Sequence, residues 1–160
     1  MELAQAIKEL QTRVQRPRGT NLIYLRFPVQ YTPNDPAVDV AQELGVEPLS
    51  VMGLLVDRFG AQWERLLVAE RERRTDGIGE RLRLDLVARV QAARCSVICD
   101  TDVLYAFPSL NPSAFLYPLS TDHMIVVSVK ADRVAAGLRL LGDGPVYPVD
   151  NCTVLDIHAT

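Results

Sequence analysis

The chain has 160 residues, with 17 Lys and Arg against 20 Asp and Glu, and a formal net charge of −3. This length favours a single domain over 1–160, and 48% hydrophobic with 23% charged residues is typical of a folded globular protein. The mild acidity argues against binding nucleic acid through overall charge. No apolar run is long enough to span a bilayer, the first residues do not resemble a signal peptide, and three cysteines are too few for a disulfide framework. We therefore expect a cytoplasmic protein without a membrane partner.

The hydrophobic pattern alternates amphipathic helices with nearly continuous apolar segments of strand length. Helices are predicted at 1–15, 36–44, 48–74, 78–93 and 133–141, and strands at 21–27, 95–99, 123–129, 146–149 and 153–158. Such alternation predicts a three-layer α/β fold with a mostly parallel sheet of about four to five strands flanked by helices. Because the last two strands are close in sequence, they could instead pair as a hairpin.

The order of elements resembles the layout of a P-loop nucleotide-binding domain. A buried strand leads through an eight-residue loop into a helix with strong start signals, Asp35 and Pro36. A later strand ends at Asp100, and the next strand ends near Ser128. In a P-loop domain these positions correspond to a phosphate loop, a magnesium-holding acid and a polar sensor.

The loop itself departs from the phosphate-loop pattern Gly-x4-Gly-Lys-Ser/Thr. Residues 28–35 place Pro28 and Pro33 at the glycine positions, Asn34 at the lysine and Asp35 at the hydroxyl. Proline has no backbone N–H to donate and cannot adopt positive φ, and a carboxylate at a helix N-terminus takes the place that a phosphate needs. We predict a P-loop-like frame with a degenerate phosphate loop, no bound cofactor and no nucleotide hydrolysis.

The acidic strand end formed by Asp100 and Asp102 allows two interpretations. The pair could hold a magnesium ion, or Asp100 could cap the following turn while Asp102 is solvated. Cys95 and Cys99 lie on one face of a strand, about 13 Å apart by strand rise, and are interpreted as small buried hydrophobes. The two histidines, at positions 123 and 158, are isolated in sequence. We therefore predict no catalytic, cofactor-binding or metal-binding residue.

Two groups of residues are candidates for an interface. The basic group, Arg13, Arg16 and Arg18, could contact an acidic partner protein or nucleic acid phosphates, or could serve only solubility. The aromatic group consists of three tyrosines predicted on loops, Tyr31, Tyr105 and Tyr117. They could contact a partner, because aromatic residues commonly anchor interfaces, or they could belong to the core.

A family resemblance lies in the middle of the chain. The stretch 96–107, from Ser96 through Asp100 and Asp102 to Phe107, is followed by Leu110, by 115–120 and by the strand 124–129. This order resembles the second half of the small P-loop-type accessory proteins of BREX-type bacterial phage-defence systems. The resemblance implies a cytoplasmic subunit that works in a multi-protein assembly alongside large ATPases and DNA-modifying enzymes. Because the phosphate loop is degenerate, it implies no nucleotide site here.

Three functions follow as hypotheses. The first is a non-catalytic accessory subunit that serves as a docking surface. The second is a nucleotide-binding switch or NTPase with an unconventional phosphate site, using Asp100, Asp102 and Ser128. The third is a nucleic-acid-binding module using Lys8 together with Arg13, Arg16 and Arg18. Direct contact with nucleic acid is not favoured, because the whole chain is mildly acidic.

Overall fold

Five parallel strands form the centre of the fold. The structure is a computed structural model that describes residues 1–16, 21–31, 34–140 and 144–158. The parallel strands are β1 (Leu22–Phe27), β2 (Leu49–Ser50), β3 (Cys95–Cys99), β4 (Met124–Val134) and β7 (Thr153–Asp156), with β5 (Gly137–Leu140) and β6 (Val146–Tyr147) added as antiparallel strands. Across the sheet the order is β2-β3-β4-β1-β7. The predicted mostly parallel α/β sheet flanked by helices is confirmed.

Helices cover both faces of this sheet. They are α1 (Leu3–Gln15), α2 (Pro36–Leu44), α3 (Val51–Phe59), α4 (Trp63–Glu72), α5 (Gly77–Gln91) and α6 (Pro112–Leu116), with 3-10 helices at Thr101–Ala106 and Tyr117–Leu119. Apolar residues of α1 and α2 pack on one face, and those of α3 to α6 pack on the other. None of the helices in these described ranges has the length and hydropathy needed to cross a membrane.

Alternation along β1 explains how one strand serves two cores. Leu22 and Tyr24 pack with the core beneath α3 to α6, whereas Ile23, Leu25 and Phe27 pack with the core beneath α1 and α2. Successive side chains of a strand point to opposite faces, so a strand covered on both sides is nearly continuously apolar. The sequence of β1 follows this rule except at Arg26, which is partly buried and pairs with Asp156.

The start and stop signals of α2 act as predicted. The Asp35 carboxylate accepts a hydrogen bond from the backbone N–H of Ala37 at 2.9 Å, Pro36 is the first helical residue, and Gly45 ends the helix with φ of 70°. The left-handed conformation at Gly45 is inexpensive for glycine. These local contacts fix where the loop after β1 ends.

The predicted helix at 133–141 is wrong. β4 continues to Val134 and turns into β5, so Ala131 pairs with Leu140 and Val134 with Gly137. Leu138 and Leu140 are buried while Arg139 between them is exposed, which is the two-residue period of a strand. Gly137 has φ of 144°, and a Cβ there would meet the Tyr147 carbonyl oxygen. The close approach of β6 therefore requires glycine at this turn.

The helix predicted over 48–74 is divided into three elements. Residues Leu49–Ser50 form the edge strand β2, α3 follows, and Gly60 with φ of 81° separates α3 from α4. Ser50 starts α3, because its Oγ accepts a hydrogen bond from the Gly53 N–H at 3.0 Å. Gly53 itself stays inside α3 and does not break it.

The last strands do not form a hairpin with each other. β6 pairs antiparallel with β5, and β7 pairs parallel with β1. An ion-pair cluster joins β7 to the sheet: Asp156 contacts Arg133 at 2.7 Å and Arg26 at 3.5 Å. Partial burial acts to raise the pKa of Asp156, but the hydrogen bond and charge of Arg133, with Arg26, outweigh it and hold that pKa below its usual value.

Two buried tyrosines in the core beneath α3 to α6 differ in their hydrogen bonding. Tyr24 Oη and Ser113 Oγ share a hydrogen bond of 2.5 Å, and Ser113 in turn donates to the Pro148 carbonyl at 2.7 Å. Tyr147 Oη is buried without a hydrogen-bond partner among the residues that the structure describes. Only the first hydroxyl therefore stabilises the packing through hydrogen bonding.

Candidate functional site

The carboxyl ends of β1, β3 and β4 lie side by side and carry the polar residues that the sequence singled out. In open parallel α/β sheets, ligands bind outside this edge. We define the carboxyl edge as Ser50, Asp35, Asp100, Asp102, Ser128 and Lys130. Asp35, Asp100 and Asp102 follow β1 or β3, and Ser50 ends β2. Ser128 and Lys130 lie within β4, where it passes the carboxyl ends of β3 and β1, so the chain topology brings together side chains that are distant in sequence.

Asp35 is the centre of the carboxyl edge. Besides capping α2, its Oδ1 accepts a hydrogen bond from Ser128 Oγ at 2.7 Å, and its Oδ2 accepts a longer one from the Asp100 N–H at 3.4 Å. Ser128 is buried in β4, with 1% of its surface exposed. The carboxylate therefore occupies the helix N-terminus and engages the donors that face it, which is the place where a phosphate would bind.

Asp100 is held in a backbone conformation that is unusual for a non-glycine residue. Its φ is 55°, in the left-handed region, and its Oδ2 accepts a hydrogen bond from Ser50 Oγ. The interpretation that Asp100 caps the following turn is wrong: its side chain makes no cap hydrogen bond to the 3-10 helix at Thr101–Ala106. The carboxylate instead ties β3 to the start of α3, and Thr101 Oγ1 donates to the Ser128 carbonyl on the next strand.

Asp102 and Lys130 have opposite charges at this edge. Crowding by neighbouring protein atoms, which removes part of the hydration of the group, raises the pKa of the Asp102 carboxyl. Lys130 opposes this shift, and the carboxylates of Asp35 and Asp100 add to it. Asp102 is nevertheless exposed at the surface, so it stays accessible to solvent and to a partner.

Sequence reasoning missed two members of the edge, Ser50 and Lys130, of which Lys130 is the charged one. Its Nζ lies 6.0 Å from the centroid of the Phe27 ring, and it pairs in register with Phe27 of β1. The available signal was its position two residues after Ser128 in an apolar strand, because residues i and i+2 share a face. Lys130 therefore supplies a cation beside Phe27, the residue from which the loop 28–35 leaves β1.

Part of the predicted loop 28–35 lies outside the described residues, namely positions 32 and 33, which include Pro33. Of its other members, Asn34 is exposed and Tyr31 is buried. The Tyr31 ring packs against the Phe27 ring with centroids 5.3 Å apart. The prediction that Tyr31 is an exposed contact residue is therefore wrong, because its side chain packs in the core beneath α1 and α2.

The other two candidate tyrosines differ in exposure. Tyr105 lies on the 3-10 helix that follows β3 and is 56% exposed, whereas Tyr117 is half-buried and packs against the core beneath α3 to α6. Tyr105 thus lies beside the carboxyl edge with its ring available to solvent.

Two of the candidate arginines, Arg13 and Arg16, lie at the opposite end of the sheet. Arg13 and Arg16 are at the end of α1, near the amino end of β1, and Arg13 pairs with Glu9 at 3.2 Å. Arg18 lies outside the described residues. The structure therefore does not bring Arg13 and Arg16 together with Asp100 and Asp102.

The cysteines and histidines do not assemble into a chemical site. Burial raises the pKa of the Cys99 thiol to about 12, and the neighbouring Asp100 and Asp35 carboxylates add to the shift. Burial also raises the pKa of Cys95, and neither thiol is therefore an effective nucleophile at neutral pH. His123 Nδ1 donates to the Ala93 carbonyl at 2.6 Å. In the ranges that the structure covers, no group of three or more His, Cys, Asp or Glu residues is arranged to hold a metal ion.

The carboxyl edge as a whole presents three carboxylates against one ammonium group. Such an edge repels an anion and attracts a cationic group. Its hydroxyl donors, Ser50 and Ser128, already bind carboxylates of the protein itself. Comparison with protein-family models, curated proteins and solved structures gave no match to this chain.

Proposed function

We propose that this protein is a non-catalytic accessory subunit of a bacterial cytoplasmic multi-protein assembly of the phage-defence type, with a P-loop-like frame that serves as a docking surface. The observation that carries the proposal is the Asp35 carboxylate. It caps α2 and accepts the Ser128 hydroxyl, so an anionic group of the protein fills the position of a nucleotide phosphate.

The charges around Asp35 support the same function. Asp100 and Asp102 add two negative groups within the same edge, and Lys130 alone opposes them. A nucleoside triphosphate brought to this edge meets electrostatic repulsion in place of the backbone amides and lysine of a phosphate loop. The resemblance of 96–129 to BREX accessory proteins supplies the kind of assembly, with a large ATPase or a DNA-modifying enzyme as partner.

Thermal unfolding with nucleotides tests the absence of a nucleotide site. A ligand at a hundred times its Kd stabilises a folded protein by about 2.7 kcal/mol. For a chain of this size that corresponds to a rise in Tm of roughly 5–10 °C. We expect no rise with Mg-ATP or Mg-GTP, and a rise of that size refutes the proposal.

Affinity purification from the native host tests the positive part of the proposal. The tagged protein should recover a large ATPase or a DNA-modifying enzyme in stoichiometric amount. The folded variants Asp100→Asn and Asp102→Asn should recover the same partner and preserve biological activity. Loss of activity in either variant, with the fold retained, favours the second function below.

A nucleotide switch is the second candidate, and one observation favours it. Lys130 places an ammonium group at the carboxyl edge beside Phe27, where it can approach a phosphate from outside the degenerate loop. The same nucleotide titration distinguishes the two functions, and Lys130→Gln should abolish any nucleotide stabilisation that is found.

A further inference from the structure

The amino ends of the central strands border a concave surface with a different character from the carboxyl edge. A cavity of about 480 Å³ lies between the end of α1 and the residues that precede β3 and β4. We call it the arginine groove and define it by Arg13, Val14, Arg94, Asp122, His123 and Met124, which are among its lining residues. A second cavity of about 370 Å³ shares the lining residues Arg13 and Asn21 with it and is also lined by Arg16.

The groove holds positive charge that the protein does not neutralise. Arg94 and Arg16 are exposed and have no acidic partner among the described residues, whereas Arg13 shares its charge with Glu9. Asp122 is the acidic residue in the lining. The opposite, carboxyl edge carries the negative charges, so the two ends of the sheet differ in sign.

The groove also contains one exposed apolar side chain. Val14 continues the hydrophobic stripe of α1, yet it is 43% exposed because it extends beyond the core that covers Leu10. Met124 also lines the cavity at the start of β4, but it is 6% exposed and packs in the core beneath α1 and α2. The walls are fixed by backbone hydrogen bonds, since the Met124 N–H donates to the Arg94 carbonyl at 2.9 Å and the Ile125 N–H to the Asn21 carbonyl at 2.9 Å. The groove is therefore preformed.

We propose that the arginine groove binds an acidic segment of a partner protein, with Asp or Glu carboxylates on Arg13, Arg16 and Arg94 and an aliphatic side chain against Val14. The inference rests on the proposed function, because it names the surface through which the subunit docks. Arginine forks match carboxylates in bidentate geometry, and an apolar anchor inside a charged rim is the usual anatomy of a docking site.

Charge and shape favour an acidic peptide over nucleic acid. A nucleic acid backbone requires a stripe of cations along a surface, whereas these arginines surround a cavity. The exposed Val14 side chain offers nothing to a phosphodiester chain but can pack against a leucine or isoleucine side chain.

Fluorescence anisotropy with the full chain tests the inference. The probes are a fluorescein-labelled peptide of Glu and Leu residues, the same peptide with Gln at every Glu, and a labelled single-stranded oligonucleotide. We expect the acidic peptide to bind at least about tenfold more tightly than the Gln analogue. Arg94→Glu and Arg13→Glu should weaken binding of the acidic peptide by about tenfold or more, and Arg94→Gln by less.

Arg65→Glu is the matched control, since Arg65 is an exposed arginine on α4, outside the lining of the groove. It should leave peptide affinity unchanged, and circular dichroism should show all variants folded. The inference is overturned if the Gln analogue binds equally well, if Arg94→Glu has no effect, or if no peptide binds. It is also overturned if the oligonucleotide binds more tightly than the acidic peptide, with a steep salt dependence. Self-association of the protein that Arg94→Glu abolishes would overturn it too, because the groove would then bind a second copy of the chain. Nucleotide-induced stabilisation would refute the proposed function without affecting these measurements.

Discussion

Replacement of Asp35 by alanine is the most informative perturbation of the carboxyl edge. The substitution removes the cap of α2, which is worth about 1 kcal/mol. It also leaves the buried Ser128 hydroxyl without its acceptor, at a cost of about 1–3 kcal/mol. Relief of repulsion with the carboxylates of Asp100 and Asp102 offsets about 1 kcal/mol of that loss. We expect a net destabilisation of about 2 kcal/mol, or a fall in Tm of roughly 4–8 °C.

Asp35→Asn is the control that separates shape from charge. Asparagine is as good an N-cap as aspartate, and its amide oxygen can still accept from the Ala37 N–H and from Ser128 Oγ. Its stability, measured by urea denaturation at neutral pH, should lie within about 0.5 kcal/mol of the wild type. The double variant Asp35→Ala with Ser128→Ala should recover part of the loss, because the orphaned hydroxyl is then removed.

The reasoning is refuted if Asp35→Ala is as stable as the wild type, or if Asp35→Asn is as destabilised as Asp35→Ala. The first result means that the hydrogen bonds of Asp35 contribute nothing. The second means that its charge, rather than its position as an acceptor, stabilises the fold.

Three further predictions concern the rest of the sheet. Tyr147→Phe should leave the free energy of unfolding unchanged or raise it, because the hydroxyl has no partner in the described part of the chain, whereas Tyr24→Phe should cost about 1 kcal/mol in the same urea titration. Gly137→Ala should destabilise by about 2–4 kcal/mol, since it combines an unfavourable φ with a clash, and an unchanged Tm contradicts the described turn. Asp156→Asn should lower the free energy of unfolding at neutral pH. Because the pKa of Asp156 is lowered in the folded protein, the difference in stability from the wild type should persist above about pH 4 and vanish as the pH falls through that folded pKa. A difference that does not depend on pH would argue against the ion-pair cluster.

Local signals in the sequence predicted the elements whose limits are set locally. Asp35, Pro36 and Gly45 act through their own neighbours, so the bounds of α2 followed from the sequence. The apolar runs of β1 and β3 predicted strands covered on both faces, as the two cores require.

Elements that depend on distant partners were predicted poorly. The segment after Arg133 is rich in alanine, leucine and arginine, which favour a helix, yet its pairing with β4 makes it a strand. β2 has two residues and becomes a strand only because Leu49 pairs with Ile98. In each case long-range pairing overrides intrinsic propensity.

The residues that meet at the two ends of the sheet also could not be predicted from the sequence. Asp100 was predicted at a strand end, but its contact with Ser50 and the approach of Lys130 depend on how strands are ordered in space. Arg94 attracted no attention in the sequence, since it immediately precedes a strand and has no motif. It joins Arg13 only because β3 and β1 both lie beside β4.

The position of β4 between β3 and β1 has a consequence for synthesis on the ribosome. β1 ends at Phe27, but its neighbours, β4 and β7, begin at Met124 and Thr153. Until Met124 and the residues after it leave the exit tunnel, the apolar β1 has neither of its pairing strands, and loop closure over such a distance slows folding. The nascent chain therefore exposes an unpaired hydrophobic strand while the residues between Phe27 and Met124 are synthesised, and such exposure favours aggregation.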